Sequence, residues 1–385
     1  GGRGGQIIRV TNLNASGPGS FIEAANTPGP RIVVFEVGGV INFEEQKLVI
    51  TEPFLTIAGQ TAPSPGITII NGGIQLAETH DIIIQHIRVR PGASGHEIGW
   101  EPDGISTRSA YNVIVDHCSV SWAVDENLTA SGPRFEGATP DEWRANTSHT
   151  VTFSNNIVAE CLKNSTHVKG EHSKGSLIHD NVTEAAVIGN LYASNYRRNP
   201  YFKGGASGIV VNNYIYNPGH NAIHYHLSTN EWGETEPLTG QMTIIGNVLK
   251  YGPDTENIPL ISVSERPLEL FHDDNIAKDL NGDDVQIYDG KASFIVSSPP
   301  VWHDNVEAIP ASELWDSIEQ NVGARPWDRD EIDARIINDT LLGTGRIIDW
   351  ETDVEGYPTH EPTQAPFNPD EWDLWYMTRI ETPTL

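Results

Sequence analysis

Short β-rich runs recur along the chain, each broken by Gly, Asn or Asp. They include Arg31–Glu36 (RIVVFE), Leu55–Gly59 (LTIAG), Ile67–Ile70 (ITII), Asp81–Val89 (DIIIQHIRV), Asn112–Val120 (NVIVDHCSV) and Thr150–Val158 (TVTFSNNIV). Ala185–Ala193 (AAVIGNLYA), Gly208–Tyr216 (GIVVNNYIY) and Gln241–Lys250 (QMTIIGNVLK) continue the series. β-branched residues are dense and no 3.6-residue periodicity appears, so the runs read as strands. Four of them carry a matching Asn, namely Asn156, Asn190, Asn213 and Asn247, spaced 34, 23 and 34 residues apart. Such a period marks a repeat architecture. A shortest repeat of 23, stretched elsewhere by insertions, fits one rung of a parallel β-helix with about three short strands per rung. The insertions would then be loops on one face. The asparagines would stack as an internal ladder of side-chain amides; separate turn asparagines in a β-sandwich are the alternative.

The pattern changes at both ends. Ser16–Thr27 contains Ser20 three residues before Glu23, a capping-box spacing, and predicts a short helix over the first rung. From about Ala308 the chain turns helical and Trp-rich, with helices expected over Ala311–Val322 and Asp328–Leu342. We expect residues 1–307 to form the solenoid and 308–385 an extension packed along it. Trp315, Trp327, Trp350, Trp372 and Trp375 would pack there, or alternatively offer a sugar-stacking platform.

Length agrees with a solenoid. At 385 residues the chain exceeds the ~250–300 at which a single core stops growing. Thirty-six Gly and 25 Pro favour turns over long helices. No apolar run reaches the ~18 residues of a membrane span. A net charge of −28 argues against nucleic-acid or anionic-membrane partners, which select a basic face. The chain begins at Gly1 without Met or a signal-peptide pattern, as expected of a processed or trimmed chain. Two cysteines exclude a disulfide scaffold. Aligning the runs puts Cys118 level with Asn156 and Cys161 over Ala123, too far apart for a disulfide, so two buried free thiols are expected. His86 and His117 occupy matching positions in consecutive repeats and are expected as stacked core histidines.

Two constellations carry chemistry. Asp103 precedes one strand, and Asp125 and Glu126 follow the next. Three carboxylates converging there would suit a hard cation; ordinary turn and capping roles are the alternative. Lys174 precedes a later strand, and Arg197, Arg198 and Lys203 follow it, with Pro200 holding their segment extended. Cations beside a carboxylate cluster suggest an anionic substrate bridged by a metal, unless they only pair with surface acids. No nucleophile elbow, HExxH, CxxC or P-loop is present.

Longer stretches then become telling. Gly1–Gly5, Val10–Asn14, Gly17–Ser20, Val33–Ile41, Thr56–Pro63 and Val115–Trp122 resemble bacterial pectate lyases of the parallel β-helix type. Gly323–Asp330 and Gly343–Asp349 resemble their C-terminal extension, so the resemblance covers nearly the whole chain. It implies an all-β, right-handed parallel β-helix, a secreted monomer, and calcium-dependent β-elimination of polygalacturonate, an acidic polysaccharide. It casts Arg198 as the base, Lys174, Lys203 and Arg197 as substrate-binding, and Asp103 and Asp125 as Ca²⁺ ligands. Lys203 stands where the family usually carries an arginine, keeping charge but losing the bidentate fork. Ser121 stands where many relatives carry a third acidic ligand, and Glu126 is the expected replacement. Asp116 and His117 match a patterned strand and are read as structural. Two further classes compete: a pectin-degrading hydrolase on the same fold, and a non-catalytic polysaccharide-binding or structural β-helix.

Overall fold

The computed structural model describes residues 1–264 and 267–380. Its strands wind into a right-handed parallel β-helix of three long sheets. One turn of the solenoid runs through Ala185–Ile188 in the first sheet, Leu191–Ala193 in the second and Tyr201–Lys203 in the third. The 23-residue repeat is visible as register: Ala185 pairs with Gly208, Leu191 with Tyr214 and Tyr201 with His224.

Alternation fills the core. In His80–Gln85, Tyr111–Asp116 and His149–Ser154, the inward residues Ile82, Ile84, Val113, Val115, Val151 and Phe153 are buried, while Ile83, Ile114 and Thr152 face outward. The amide ladder runs through the turn between the first and second sheets. Asn156 Nδ2 donates to Val115 O at 3.0 Å and to Asn190 Oδ1 at 2.9 Å. Asn190 donates likewise to Asn213 (2.9 Å) and Asn213 to Asn247 (3.0 Å). Asn247 passes the pattern to Asn275 at 3.0 Å, one rung beyond the four that spacing picks out. Each buried turn thereby has its polar groups satisfied.

The other local expectations are met with adjustments. Cys118 and Cys161 are buried free thiols; Cys118 N–H donates to Asn156 Oδ1, and Cys161 Sγ lies 3.1 Å from Ala123 O. His86 and His117 do stack, with ring centroids 5.0 Å apart. They do so at the turn outside the core, where His86 Nδ1 donates to Ala324 O at 2.7 Å. The first cap is helical only over Phe21–Ala25; Ser20 Oγ accepts from Glu23 N–H, and Phe21 packs on Phe35 and Phe43.

The C-terminal helices form over Leu314–Asn321 and Glu331–Leu342. Their apolar residues Leu314, Ile318, Ile332 and Ile336 cover Ile157 and Leu191 of the second sheet. Beside them Arg88 and Arg90 of that sheet pair with Asp330 and Asp333 of the second helix. Trp315, Trp350 and Trp372 pack into the structure, whereas Trp327 and Trp375 stay exposed.

Candidate active site

The chemistry-bearing residues gather where the chain enters the third sheet. Asp103 lies just before Ile105–Arg108, Asp125 and Glu126 open Glu126–Ser131, Lys174 opens Lys174–Ile178, and Arg197 and Arg198 precede Tyr201–Lys203. Glu126 pairs in register with Lys174, and Lys174 with Arg197. Adjacent rungs are about 4.8 Å apart, so residues distant in sequence become neighbours along one edge.

Asp103, Asp125 and Glu126 each place a carboxylate oxygen within 4.8 Å of the others. Glu126 N–H donates to Asp103 Oδ1 at 3.2 Å. Lys174 Nζ lies 3.3 Å from Asp125 Oδ1 and 3.7 Å from Glu126 Oε1, and it touches His172 Nε2. Arg198 Nη1 pairs with Glu126 Oε1, and its guanidinium lies 5.0 Å from the Tyr201 ring centre. Arg198 adopts φ +64, the left-handed region, so its segment turns rather than running extended as Pro200 suggests. Such a conformation in a non-glycine residue is held by its surroundings, here the Glu126 pair and the strand that follows.

Electrostatics separate the acids. Burial pushes Asp103 up to about 7, helped by the charges of Glu126 and Asp125. Burial also raises Glu126, against the pull of Arg198. Burial would raise Asp125 too, but the His172 hydrogen bond and Lys174 outweigh it and hold this carboxylate below its usual range. Burial, then Arg198, lowers Lys174. The three acids offer hard oxygen donors whose mutual repulsion a cation would relieve, which fits a divalent cation such as Ca²⁺. His167 Nε2 also faces Asp125, at 3.8 Å. Its Nδ1 accepts from Lys169 N–H at 3.0 Å, so the neutral ring carries its proton on Nε2 and presents no lone pair for a metal.

Lys203 and Arg197 stand apart from this group. Lys203 Nζ is 3.2 Å from Asp180 Oδ2 and pairs with Glu231, and Arg134 engages the same two acids. Arg197 sits on the rim, 3.9 Å from Glu171. Ser121 is buried in the second sheet with its hydroxyl unpartnered, while Glu126 stands with Asp103 and Asp125 in the carboxylate cluster. A groove of about 280 Å³ runs from His172 and Lys174 past Arg198 and Tyr201 to His224 and His226. Sequence reasoning names neither Tyr201 nor His224 as site residues, although the 23-residue repeat sets them in register, with their rings stacked at 5.0 Å. His172 is visible two residues before Lys174, whereas His167 carries no sequence signal. A larger cavity, about 660 Å³, lies elsewhere, between Gln60–Ser64 and the C-terminal segment, and is lined by none of the predicted site residues.

A charged groove crossing the rungs of a parallel β-helix defines a class, the β-helical enzymes that work on extended substrates. Comparison with known proteins narrows the class. No family model matches the chain. It is 32% identical over 382 residues to the probable pectate lyase C of Emericella nidulans, covering 96% of this chain and 80% of that protein. The probable pectate lyase C of Aspergillus flavus is 35% identical over 272 residues, 71% of this chain and 55% of that protein. The chain therefore belongs to the pectate lyase family, and both of these relatives are fungal. Solved structures agree on the fold. The major allergen of cedar pollen superposes with a TM-score of 0.54 at 15% identity, over 84% of this chain and 90% of that one. A pectate lyase of Bacillus sp. N165 in complex with trigalacturonate gives 0.53 at 13% identity, over 84% and 94%.

Proposed function

We propose that this protein cleaves polygalacturonate by calcium-dependent β-elimination, with Arg198 as the base. The observation that carries the reading is the contact of Arg198 and Lys174 with the carboxylate cluster Asp103, Asp125 and Glu126 on one sheet edge. In this scheme Arg198 turns from Glu126 to take the C5 proton of a galacturonate. The electron pair forms the C4–C5 double bond, the C4–O4 bond breaks, and the leaving oxygen takes a proton from water. Lys174, and Lys203 where it is reachable, would stabilise the charge that builds on the carboxylate as C5 loses its proton. Asp103, Asp125 and Glu126 would hold Ca²⁺, which when bound adds Lewis-acid stabilisation of that same carboxylate. The scheme needs Arg198 in its neutral form, so activity should climb into the alkaline range. Arg197 would meet the substrate at the rim. The same reading takes residues 1–307 as the catalytic solenoid and 308–385 as its brace, in a secreted monomer.

The test is incubation with polygalacturonate and Ca²⁺ while following the absorbance of unsaturated uronides. New reducing ends without absorbance would mean a hydrolase, and neither signal would mean a binding protein. Calcium should serve turnover rather than folding, because the core is apolar and laddered by amides. EDTA should stop the reaction, added Ca²⁺ restore it, and the melting temperature hardly move; full activity in chelator would sink the metal's role.

A further inference from the structure

The groove ends where two insertions meet. Residues 132–148 supply Arg134, and residues 227–239 supply Glu231 on the short helix Thr229–Trp232. Both side chains close over Lys203, whose strand neighbour His226 lines the end of the groove. The four charges are not equivalent. Asp180 is wholly buried and pinned by Trp232 Nε1 at 2.8 Å, while it meets Lys203 at 3.2 Å and Arg134 at 2.9 Å. Glu231 is 43% exposed and roofs Lys203 and Arg134, which are 9% and 19% exposed. Asp180 is thus the fixed inner anion and Glu231 the outer one, in contact with solvent and more easily screened.

We propose that Glu231 is an internal stand-in for a uronate carboxylate: it occupies the Lys203–Arg134 cation pair and is exchanged for a carboxylate of the acidic sugar chain when the groove fills. Removing Glu231 from this cluster leaves two cations against one buried anion, a site for one carboxylate. The exchange needs only a side-chain rotation, because the helix is held by Trp232, which is buried and packs on Phe135 at 5.2 Å. The residue therefore sets how tightly the far end of the groove holds charged sugar, and it explains how Lys203 can be both sequestered here and available to substrate.

This inference rests on the polygalacturonate reading, so binding is measured separately from cleavage, by calorimetric titration with trigalacturonate and by KM on polygalacturonate. Glu231→Gln keeps the shape and removes the competing charge. It should tighten binding and lower KM about three- to fivefold, the range of a partly exposed ion pair, with kcat unchanged and the melting temperature lowered only slightly by loss of that pair. Lys203→Met in the same chain should cancel the gain. Glu234→Gln, on the same loop and with the same change in net charge, should give none. The proposal is overturned by unchanged or weaker binding in Glu231→Gln, by a gain that survives Lys203→Met, or by an equal gain from Glu234→Gln. A drop in melting temperature without tighter binding overturns it too, making Glu231 a clasp between insertions. Absence of any cleavage by the wild type would instead strike the lyase reading, and the titration would still judge the exchange.

Discussion

Two clusters of cations and carboxylates sit on neighbouring faces of the solenoid, and they are built to opposite ends. On the second sheet, Arg88 and Arg90 meet Asp330 and Asp333 with all four side chains at most 1% exposed. Arg90 reaches Asp330 at 2.6 Å and Asp333 at 2.8 Å, Arg88 reaches Asp333 at 3.2 Å, and Ser119 Oγ donates to Asp333 at 2.7 Å. Two positive charges face two negative ones, and Asp330 also caps the helix it begins. At the edge of the third sheet, three carboxylates crowd against only two cations, Lys174 and Arg198, and it is these cations that line the groove. Matched charge sealed from water suits a brace; mismatched charge beside an opening suits a site. Composition does not distinguish the two, whereas charge balance and closure do.

Breaking the closed cluster should give the largest effect. Arg90→Ala strands two buried aspartates against Arg88 alone, and loss of one partner from a buried ion pair costs about 3–5 kcal/mol. The expected result is a marked fall in denaturation midpoint with turnover per folded molecule unchanged. A stability within error of the wild type would show that the cluster braces nothing. The open cluster should respond the other way. Arg198→Lys keeps the charge facing Glu126 but changes geometry and basicity. If Arg198 is the base, kcat should fall by about two orders of magnitude or more while oligogalacturonate still binds and the melting temperature holds. Near wild-type kcat would remove Arg198 from that role and make Lys174 the next candidate.

What was legible in the sequence divides along the same line. The solenoid was readable because its period is written into the chain: the spacing of Asn190 and Asn213 is the register of the rungs. Asp103, Asp125, Glu126 and Lys174 were readable as site candidates because each sits at a strand start, and rung stacking turns that shared position into proximity. The partners of Lys203 were not readable. Asp180 does lie 23 residues before Lys203, one repeat length, but nothing marked it out from other turn acids, and Glu231 comes from an insertion that does not follow the repeat. The Arg88–Arg90 brace was hidden for the same reason: its acids lie about 240 residues away in a helix outside the period. Periodic contacts can be computed from spacing, and contacts made by insertions and extensions cannot.

The smallest expected effect concerns the seam between the solenoid and its extension. His86 donates Nδ1–H to Ala324 O, with its ring against His117 and Trp327 and with Asp116 and Arg325 nearby. Burial, then the neighbouring His117 and more weakly Arg325, lowers its pKa from 6.5 to about 4, although the Ala324 carbonyl and Asp116 pull the other way. In the unfolded chain the imidazole titrates near 6.5. Between pH 6.5 and 4 the unfolded state therefore binds a proton that the folded state refuses, and stability falls as pH drops through that window. The ring is partly solvent-accessible, so a contribution of about 1 kcal/mol between pH 7 and 5 is expected after allowing for screening. His86→Gln, which can still donate to Ala324 O but does not titrate, should match the wild type at pH 7 and lose less stability at pH 5. Denaturant unfolding at the two pH values measures it, and equal acid sensitivity in the variant would move the effect to other groups. A matching change in activity is not expected, because the seam, like the brace beside it, supports the solenoid without touching the groove.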